Sequence, residues 1–328
     1  MNTIGRIFKI SIFGESHGKA VGVVVDGCPA GILLSENDFE ADLSRRRSGS
    51  KGTTPRKELD LPEIYSGLFN GKTTGRPIAI LFKNNNTISS DYNEFRDVPR
   101  PGHADFVAQK KWNGFNDNRG GGHFSGRITI GLVAAGVIAK KIINPIDIQA
   151  KLIEVGGNKD IEKAIDEAIK NNDSIGGLIE CKAINLPIGL GEPFFDSVEA
   201  LISHMIFSIP AIKGIEFGSG FEAAKMKGSQ HNDPFISSDG KTTTNHASGI
   251  NGGITNGNDI VFRIAVKPTS SISKTQNTFN LQTGKMVDME VKGRHDVCIA
   301  LRMPVIAEAA TAIALADLKL CGENAFIE

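Results

Sequence analysis

Residues 10–27 read ISIFGESHGKAVGVVVDG. Within them Gly14-Glu15-Ser16-His17-Gly18 matches G-x-S-x-G, the esterase nucleophile elbow. That elbow needs a strand, a sharp turn, and then a helix carrying the serine at its start. The strand is there: Ile7, Phe8, Ile10, Ile12 and Phe13 stand among few polar residues. The helix is not. Val21-Gly22-Val23-Val24-Val25 is β-branched and holds a glycine, so it reads as a second strand. The stretch predicts strand, glycine-rich turn, strand, and disfavours Ser16 as a nucleophile. His17, a titratable group on a turn bounded by two glycines, becomes the residue of interest.

The chain has 328 residues, enough for a sizeable core, with 40% hydrophobic and 23% charged residues. Lys+Arg and Asp+Glu both number 37, so no global field draws polyanions, and an anion site has to come from local clustering. Cys28, Cys181, Cys298 and Cys321 lie far apart and form no C-x-x-C pair, which argues against a zinc or thioredoxin-type site and reads as reduced core thiols. The N-terminal residues lack a signal-peptide apolar run, and no segment reads as a membrane span of about 18 apolar residues. The expectation is a cytoplasmic enzyme, one domain over 1–328.

Helix signals lie at Ser35–Arg46, where Ser35 and Asp38 resemble a capping box; after His103, through Trp112; at Ser125–Ile143, rich in Ala and Gly; at Asp160–Lys170; after Asp196-x-x-Glu199; and at Val305–Leu318 behind Pro304. Small residues on a helix point to close approach of neighbouring backbones. Strands are expected at Ile78–Phe82, Ile175–Ala183, Lys213–Phe217 and Asp259–Lys267. Strands and helices do not alternate regularly, so the class is α+β rather than a doubly wound parallel sheet. "GGGHFSGR" before one alanine-rich helix and "KGRHDVCIALRMP" before another are a loose internal echo.

Four long polar loops, Arg45–Pro62, Asn84–Gly102, Lys225–Asn258 and Pro268–Gly284, are most simply explained if they converge on a ligand. Residues 45–57, RRRSGSKGTTPRK, hold six basic residues and no acid: a solvated loop, or a clamp for a polyanion. GLFNGKTTG, 67–75, misses the Walker spacing by one residue and reads as a turn between strands. RPGHAD (100–105) puts a histidine after a Pro-Gly turn, and RGGGHFSGR (119–127) leads a glycine triplet into a helix, an anion-site geometry. KPTSS (267–271) ends a strand with a lysine and hydroxyls, and KGRHD (292–296) groups Arg, His and Asp.

Together, GESHGKAVGVVVDGCP, RPGHAD, GGGHFSGR…AAGVIA, KPTSS and GRHDVCIALRMPVIAEA resemble the motifs of the chorismate synthase family, in family order across nearly the whole chain. The resemblance implies a β-α-β sandwich with central helices between antiparallel sheets, a homotetramer, and a 1,4-trans-elimination of phosphate from 5-enolpyruvylshikimate 3-phosphate to give chorismate, with reduced FMN as cofactor. It implies that His17 protonates the departing phosphate, that His103 serves the reduced flavin near N1, and that Asp296 is the base, relaying the C6 proton through flavin N5. Substrate contacts carry over to Arg46, Lys51, Arg100 and Arg294. Flavin contacts carry over to His123, Phe124, Ser125, Pro210, Ala211, Gly252, Lys267, Pro268, Thr269, Ser270, Ser271 and Arg294. Two departures stand out. His123-Phe124-Ser125-Gly126-Arg127-Ile128 replaces the common Arg-Ser-Ser-Ala-Arg-Glu, and Pro210-Ala211 replaces Asn-Ala. No metal is implied, nor nucleic acid or membrane. The expectation is that no flavin-reductase domain is added and that an external flavin reductase or another source supplies reduced FMN. A hydrolase using Ser16 and a basic-loop nucleic-acid binder are the alternatives from other classes.

Overall fold

The computed structural model describes residues 2–56, 58–87, 90–293 and 295–323. The opening stretch is the antiparallel hairpin its sequence predicts: Lys9–Gly14 runs against Ala20–Asp26, with Gly14 opposite Val21. A strand, not a helix, follows Ser16, so the elbow reading fails on geometry.

With Thr3–Ile4 as β1, the hairpin strands are β2 and β3; β4 (Glu63–Ile64), β5 (Leu68–Phe69), β6 (Lys72–Thr73) and β7 (Ile78–Lys83) follow. The first sheet has five strands in the order β1-β2-β3-β7-β4. Strands β5 and β6 make a separate small hairpin, so GLFNGKTTG is the turn between strands that its spacing indicates. The second sheet is built from β8 (Asp147–Val155), β9 (Gly177–Ile184), β10 (Ile212–Phe217) and β13 (Ile260–Val266), in the order β10-β13-β9-β8. Two further hairpins are β11–β12 (Ile250–Asn251, Ile254–Thr255) and β14–β15 (Gln276–Asn280, Lys285–Met289). Strand neighbours pair antiparallel among the described residues.

The helices are α1 (Glu40–Arg46), α2 (Asp105–Lys111), α3 (Thr129–Ile143), α4 (Ile161–Lys170), α5 (Val198–Phe207), α6 (Gly228–His231) and α7 (Met303–Glu323). Helix α3 packs on β3, α7 packs on β8 and β9, and α3 and α7 pack on each other, giving sheet, helices, sheet. The small residues do what their sequence suggests: a Cβ on Gly136 would stand 2.6 Å from Ala309 Cα, so only glycine lets α3 approach α7 this closely. One continuous apolar cluster runs through both sheets and these helices. Each of α3 and α7 is led by a short 3-10 turn, Gly126–Ile128 and Ile299–Arg302, at the two echoing motifs.

Some boundaries differ from expectation. The cap of α5 is Ser197, whose hydroxyl accepts from Ala200 N at 3.1 Å, because Asp196 is turned to Arg6 at 2.6 Å. Strand β8 escapes the pattern because its edge position leaves Asp147, Gln149 and Lys151 exposed beside small or aliphatic neighbours. Helix α7 is longer than read, and Ile299–Gly322 is long and apolar enough to cross a membrane by length and composition. It is the core helix instead, with 78% of its most apolar window buried.

Candidate functional site

A cavity of about 780 Å³ opens where the chain's polar loops meet, within the range of small-molecule sites. Three of the four long loops supply its wall; the Lys225–Asn258 loop supplies none of it. Among the described residues eight lysines and arginines stand on the wall against three carboxylates, Glu58, Asp60 and Asp296, so a neutral chain has made a locally cationic cavity.

One side is the β2–β3 turn. Ser16 N donates to Gly122 O at 3.1 Å, and His123 Nδ1 donates to Gly14 O at 2.8 Å, which zips the turn to the glycine triplet. Arg56 clamps the turn from the other side, donating to Ser16 Oγ at 3.1 Å and Ser16 O at 3.2 Å. Glu58 holds Arg56 at 2.7 Å and also accepts from the backbone of Asn85 and Asn86. Ser16 is fully buried, with its hydroxyl occupied by Arg56, which is the opposite of an exposed nucleophile. His17 is 8% exposed and meets Tyr92 edge-on at 5.1 Å.

The triplet itself explains its composition. Gly120, Gly121 and Gly122 all have positive φ, +59°, +80° and +53°, a region L side chains rarely adopt. A Cβ on Gly120 would stand 2.5 Å from His17 Nε2; one on Gly121 would stand 3.4 Å from His103 Nε2. The two sequence-predicted histidines therefore flank one pair of glycines, although they are 86 positions apart in the chain (103 − 17).

His103 is held by Asp105, Nδ1 to Oδ1 at 2.6 Å. Asp105 is also gripped by Arg100, Nε to Oδ2 and Nη2 to Oδ1, both at 2.8 Å. Burial works against the Asp105 charge, but hydrogen bonds from Arg100 and His103 outweigh it and hold the carboxyl far below the usual carboxylate range. Arg100 reaches on to Ser271 Oγ at 3.0 Å. Next to it Lys267 donates to Gly102 O at 2.7 Å and Ser270 Oγ at 2.9 Å. Burial, and then Lys213, push the Lys267 pKa down. Among the described residues Lys267 makes no ion pair, and Thr269 Oγ1 is buried with no hydrogen-bond partner. A lysine short of a counter-ion beside an orphaned hydroxyl suits a phosphate.

Asp296 lines the same cavity. Its Oδ1 accepts from Thr54 N at 2.8 Å, and Oδ2 faces Arg302 Nη1 at 3.5 Å. His123, Phe124, Ser125, Pro210, Ala211 and Pro268 also line it. Arg46 reaches the wall but is spoken for by protein: it donates to Thr129 Oγ1, Gly126 O and Arg127 O, and shares Asp60 with Arg127. Burial, then the neighbouring Arg302, weigh against its charge. Lys51 stands outside the cavity lining, exposed and paired with Asp166 of α4. Gly252 sits exposed on the β11–β12 hairpin, also outside the lining. Arg294 lies outside the described residues. Sequence reasoning gave no separate role to Arg56, Asp60, Asp105 or Arg302; only Asp105 carried a local signal, a carboxylate two residues after a candidate histidine.

Residues 8–320 match the family model described as chorismate synthase. A chorismate synthase of Chitinophaga pinensis is 63% identical over 321 residues, covering 98% of this chain and 97% of the relative. One of Methanocaldococcus jannaschii is 44% identical, covering 98% and 97%. A crystal structure of a chorismate synthase superimposes with TM-score 0.74 at 28% identity, covering 97% of this chain and 93% of the other. The motifs, the sandwich and the cationic cavity are thus found along one shared chain length, and the chain belongs to the chorismate synthase family.

Proposed function

We propose that this chain eliminates phosphate from 5-enolpyruvylshikimate 3-phosphate to give chorismate, using reduced FMN. The observation that carries the reading is that His103 and Asp296 stand on the wall of one cation-lined cavity, and that His17, itself outside the lining, packs directly behind Gly120 of that wall. The substrate bears a phosphate and two carboxylates. Arg100 and the other cations of the wall supply positive charge for them. Lys267 and the unpartnered hydroxyl of Thr269 would hold the phosphate end of FMN, and Pro210-Ala211 with His123–Ser125, which line the same cavity, would face its ring system. Bound reduced FMN lends electron density to cleavage of the allylic C–O bond and is not consumed.

The chain's own residues then have separate tasks. His17 holds the proton that the leaving phosphate needs; Ser16, clamped by Arg56, keeps its turn in place. His103 presents Nε2 toward Gly121, because Nδ1 is committed to Asp105. Asp296 takes the proton lost from the substrate. Each such transfer is worth roughly 10²–10⁴ in rate. A homotetramer in the cytoplasm, fed by an external flavin reductase, completes the proposal. The test is anaerobic incubation with substrate and prereduced FMN, following chorismate. Product in excess of flavin, with the flavin still reduced at the end, supports the reading. Product that stops at one equivalent per flavin, or none at all, refutes it.

A further inference from the structure

The carboxylate of Asp105 is almost sealed, its side chain 4% exposed, and all of its bonding goes to one loop. Oδ2 accepts from Arg100 N at 3.1 Å and Arg100 Nε at 2.8 Å; Oδ1 accepts from Arg100 Nη2 at 2.8 Å and faces His103 Nδ1 at 2.6 Å. An ionised carboxylate only accepts, so the proton at the short contact belongs to Nδ1. Arg100 Nη2 lies 3.1 Å from the same Nδ1, but a guanidinium only donates, so it cannot supply an acceptor there. The ring has one free nitrogen left, Nε2, and that is the atom nearest Gly121.

We propose that Asp105 is a positioning residue for the reaction: it holds a proton on Nδ1 of His103, so that Nε2 is the nitrogen that exchanges a proton in the cavity, and it locks Arg100 with the same two oxygens. The inference rests on the catalytic reading of His103 given above. Other groups near His103 cannot do this. Arg100 and Lys267 are donors, and Ser270 is engaged by Lys267 and Gly102 O. His295, close enough to interact with His103, Arg100 and Asp296, is itself pushed down by burial and bonds Lys292 O. Asp105 is the acceptor that the geometry provides.

The Asp105→Asn change separates tautomer control from simple anchoring. The amide keeps the shape, yet one end becomes NH2. If NH2 faces His103, Nδ1 has to accept and the proton moves to Nε2; if it faces Arg100, an arginine donor is orphaned.

The experiment uses the full chain labelled with 15N-histidine, ligand-free, at a pH where the imidazoles are neutral. Two-bond proton–nitrogen correlations distinguish the tautomers, and the His103 signals are assigned by their loss in His103→Gln. The wild type should show His103 with its proton on Nδ1. In Asp105→Asn this preference should be lost, with kcat lower by about 10²- to 10⁴-fold and KM for substrate changed far less. Asp105→Glu, which retains a carboxylate, should recover the Nδ1–H signature and part of kcat. A wild-type spectrum with the proton on Nε2 overturns the proposal even if the Asn variant fails to fold. So does an Asn variant that keeps the Nδ1–H signature with unchanged kcat. Normal turnover by His103→Gln is a different failure: it removes His103 from the mechanism, whatever the tautomer.

Discussion

Replacing Gly120 by alanine isolates the placement of His17. The new Cβ would lie 2.3 Å from His17 Cδ2, 2.5 Å from its Nε2 and 2.9 Å from Ser16 Oγ, whereas ordinary contact begins at 3.4 Å. The imidazole has to yield by 3.4 − 2.3 = 1.1 Å. It has little room, since Tyr92 stands edge-on at 5.1 Å and Ser16 is held by Arg56 and Gly122. A misplacement near 1 Å costs on the order of 10²-fold in rate. The φ of +59° adds strain of about 1–2 kcal/mol for a residue with a Cβ. Gly121→Ala is the control. Its φ of +80° carries similar strain, but its Cβ meets His103 Nε2 at 3.4 Å, an ordinary contact. Steady-state kcat and KM, measured anaerobically with reduced FMN, should fall sharply for Gly120→Ala and much less for Gly121→Ala. Urea midpoints for the two should fall by similar amounts. Equal loss of kcat in both variants, or a Gly120→Ala rate within threefold of wild type, would refute the claim that the glycine exists to seat His17.

His17→Ala and His103→Ala should each slow turnover by roughly 10²–10⁴ while leaving the urea midpoint close to wild type; near-normal rates in both would remove them as proton carriers. Arg46→Ala should cost about 3–5 kcal/mol in denaturant unfolding, because it strips a buried hydrogen-bonded charge from Gly126, Arg127, Thr129 and Asp60; a raised KM with an unchanged midpoint would instead make Arg46 a substrate ligand. The Cys181 thiol, pushed up to about 12 by burial, has a folded pKa above its ordinary 9.0. Its contribution to stability is therefore intact below pH 9 and lost as pH rises toward 12. The urea midpoint should decline over that window, less steeply in Cys181→Val, and an identical decline in both would dismiss the thiol.

Much of the fold could be read because local and tertiary preferences agree. The valines at 21 and 23–25 want a strand and find one in the middle of a sheet. Ser35 and Asp38 make the reciprocal cap their spacing announces, with Ser35 N donating to Asp38 Oδ2 at 2.7 Å. Gly136 needs a close neighbour and has Ala309. What could not be read depends on partners far along the chain. Asp196 looks like a cap and is taken by Arg6, while Ser197 does the capping. Arg46 sits in an acid-free run, and its carboxylate comes from Asp60, after the run has ended. Lys51, six residues from Arg45, turns outward to α4. The basic run is thus neither a uniform clamp nor a solvated face: its described members divide between core, cavity and surface according to which partner each can reach.

The same bonding pattern bears on the base proposed above. Among the described residues, Glu58, Asp60 and Asp296 line the cavity and Asp105 stands behind Arg100 and His103 of its wall. Asp105 is committed to Arg100 and His103 through both oxygens. Asp60 is shared between two buried arginines, Arg46 and Arg127. Glu58 bonds Arg56 and the amides of Asn85 and Asn86. The oxygens of these three are occupied, so using any of them as a base would break a charge-assisted bond of about 1.5–3 kcal/mol. Asp296 differs. Among the described residues one oxygen takes an amide from Thr54, and the other has Arg302 at 3.5 Å, the far limit of a hydrogen bond. That oxygen is open to a proton from a substrate in the cavity without dismantling the wall. Asp296→Asn should bind substrate and flavin normally and fail at proton removal, and a substrate deuterated at the carbon that loses the proton should react more slowly in the wild type. Normal turnover by the Asn variant would reduce Asp296 to a structural partner of Thr54 and Arg302, and the base would have to be sought among groups that the wall holds far more tightly.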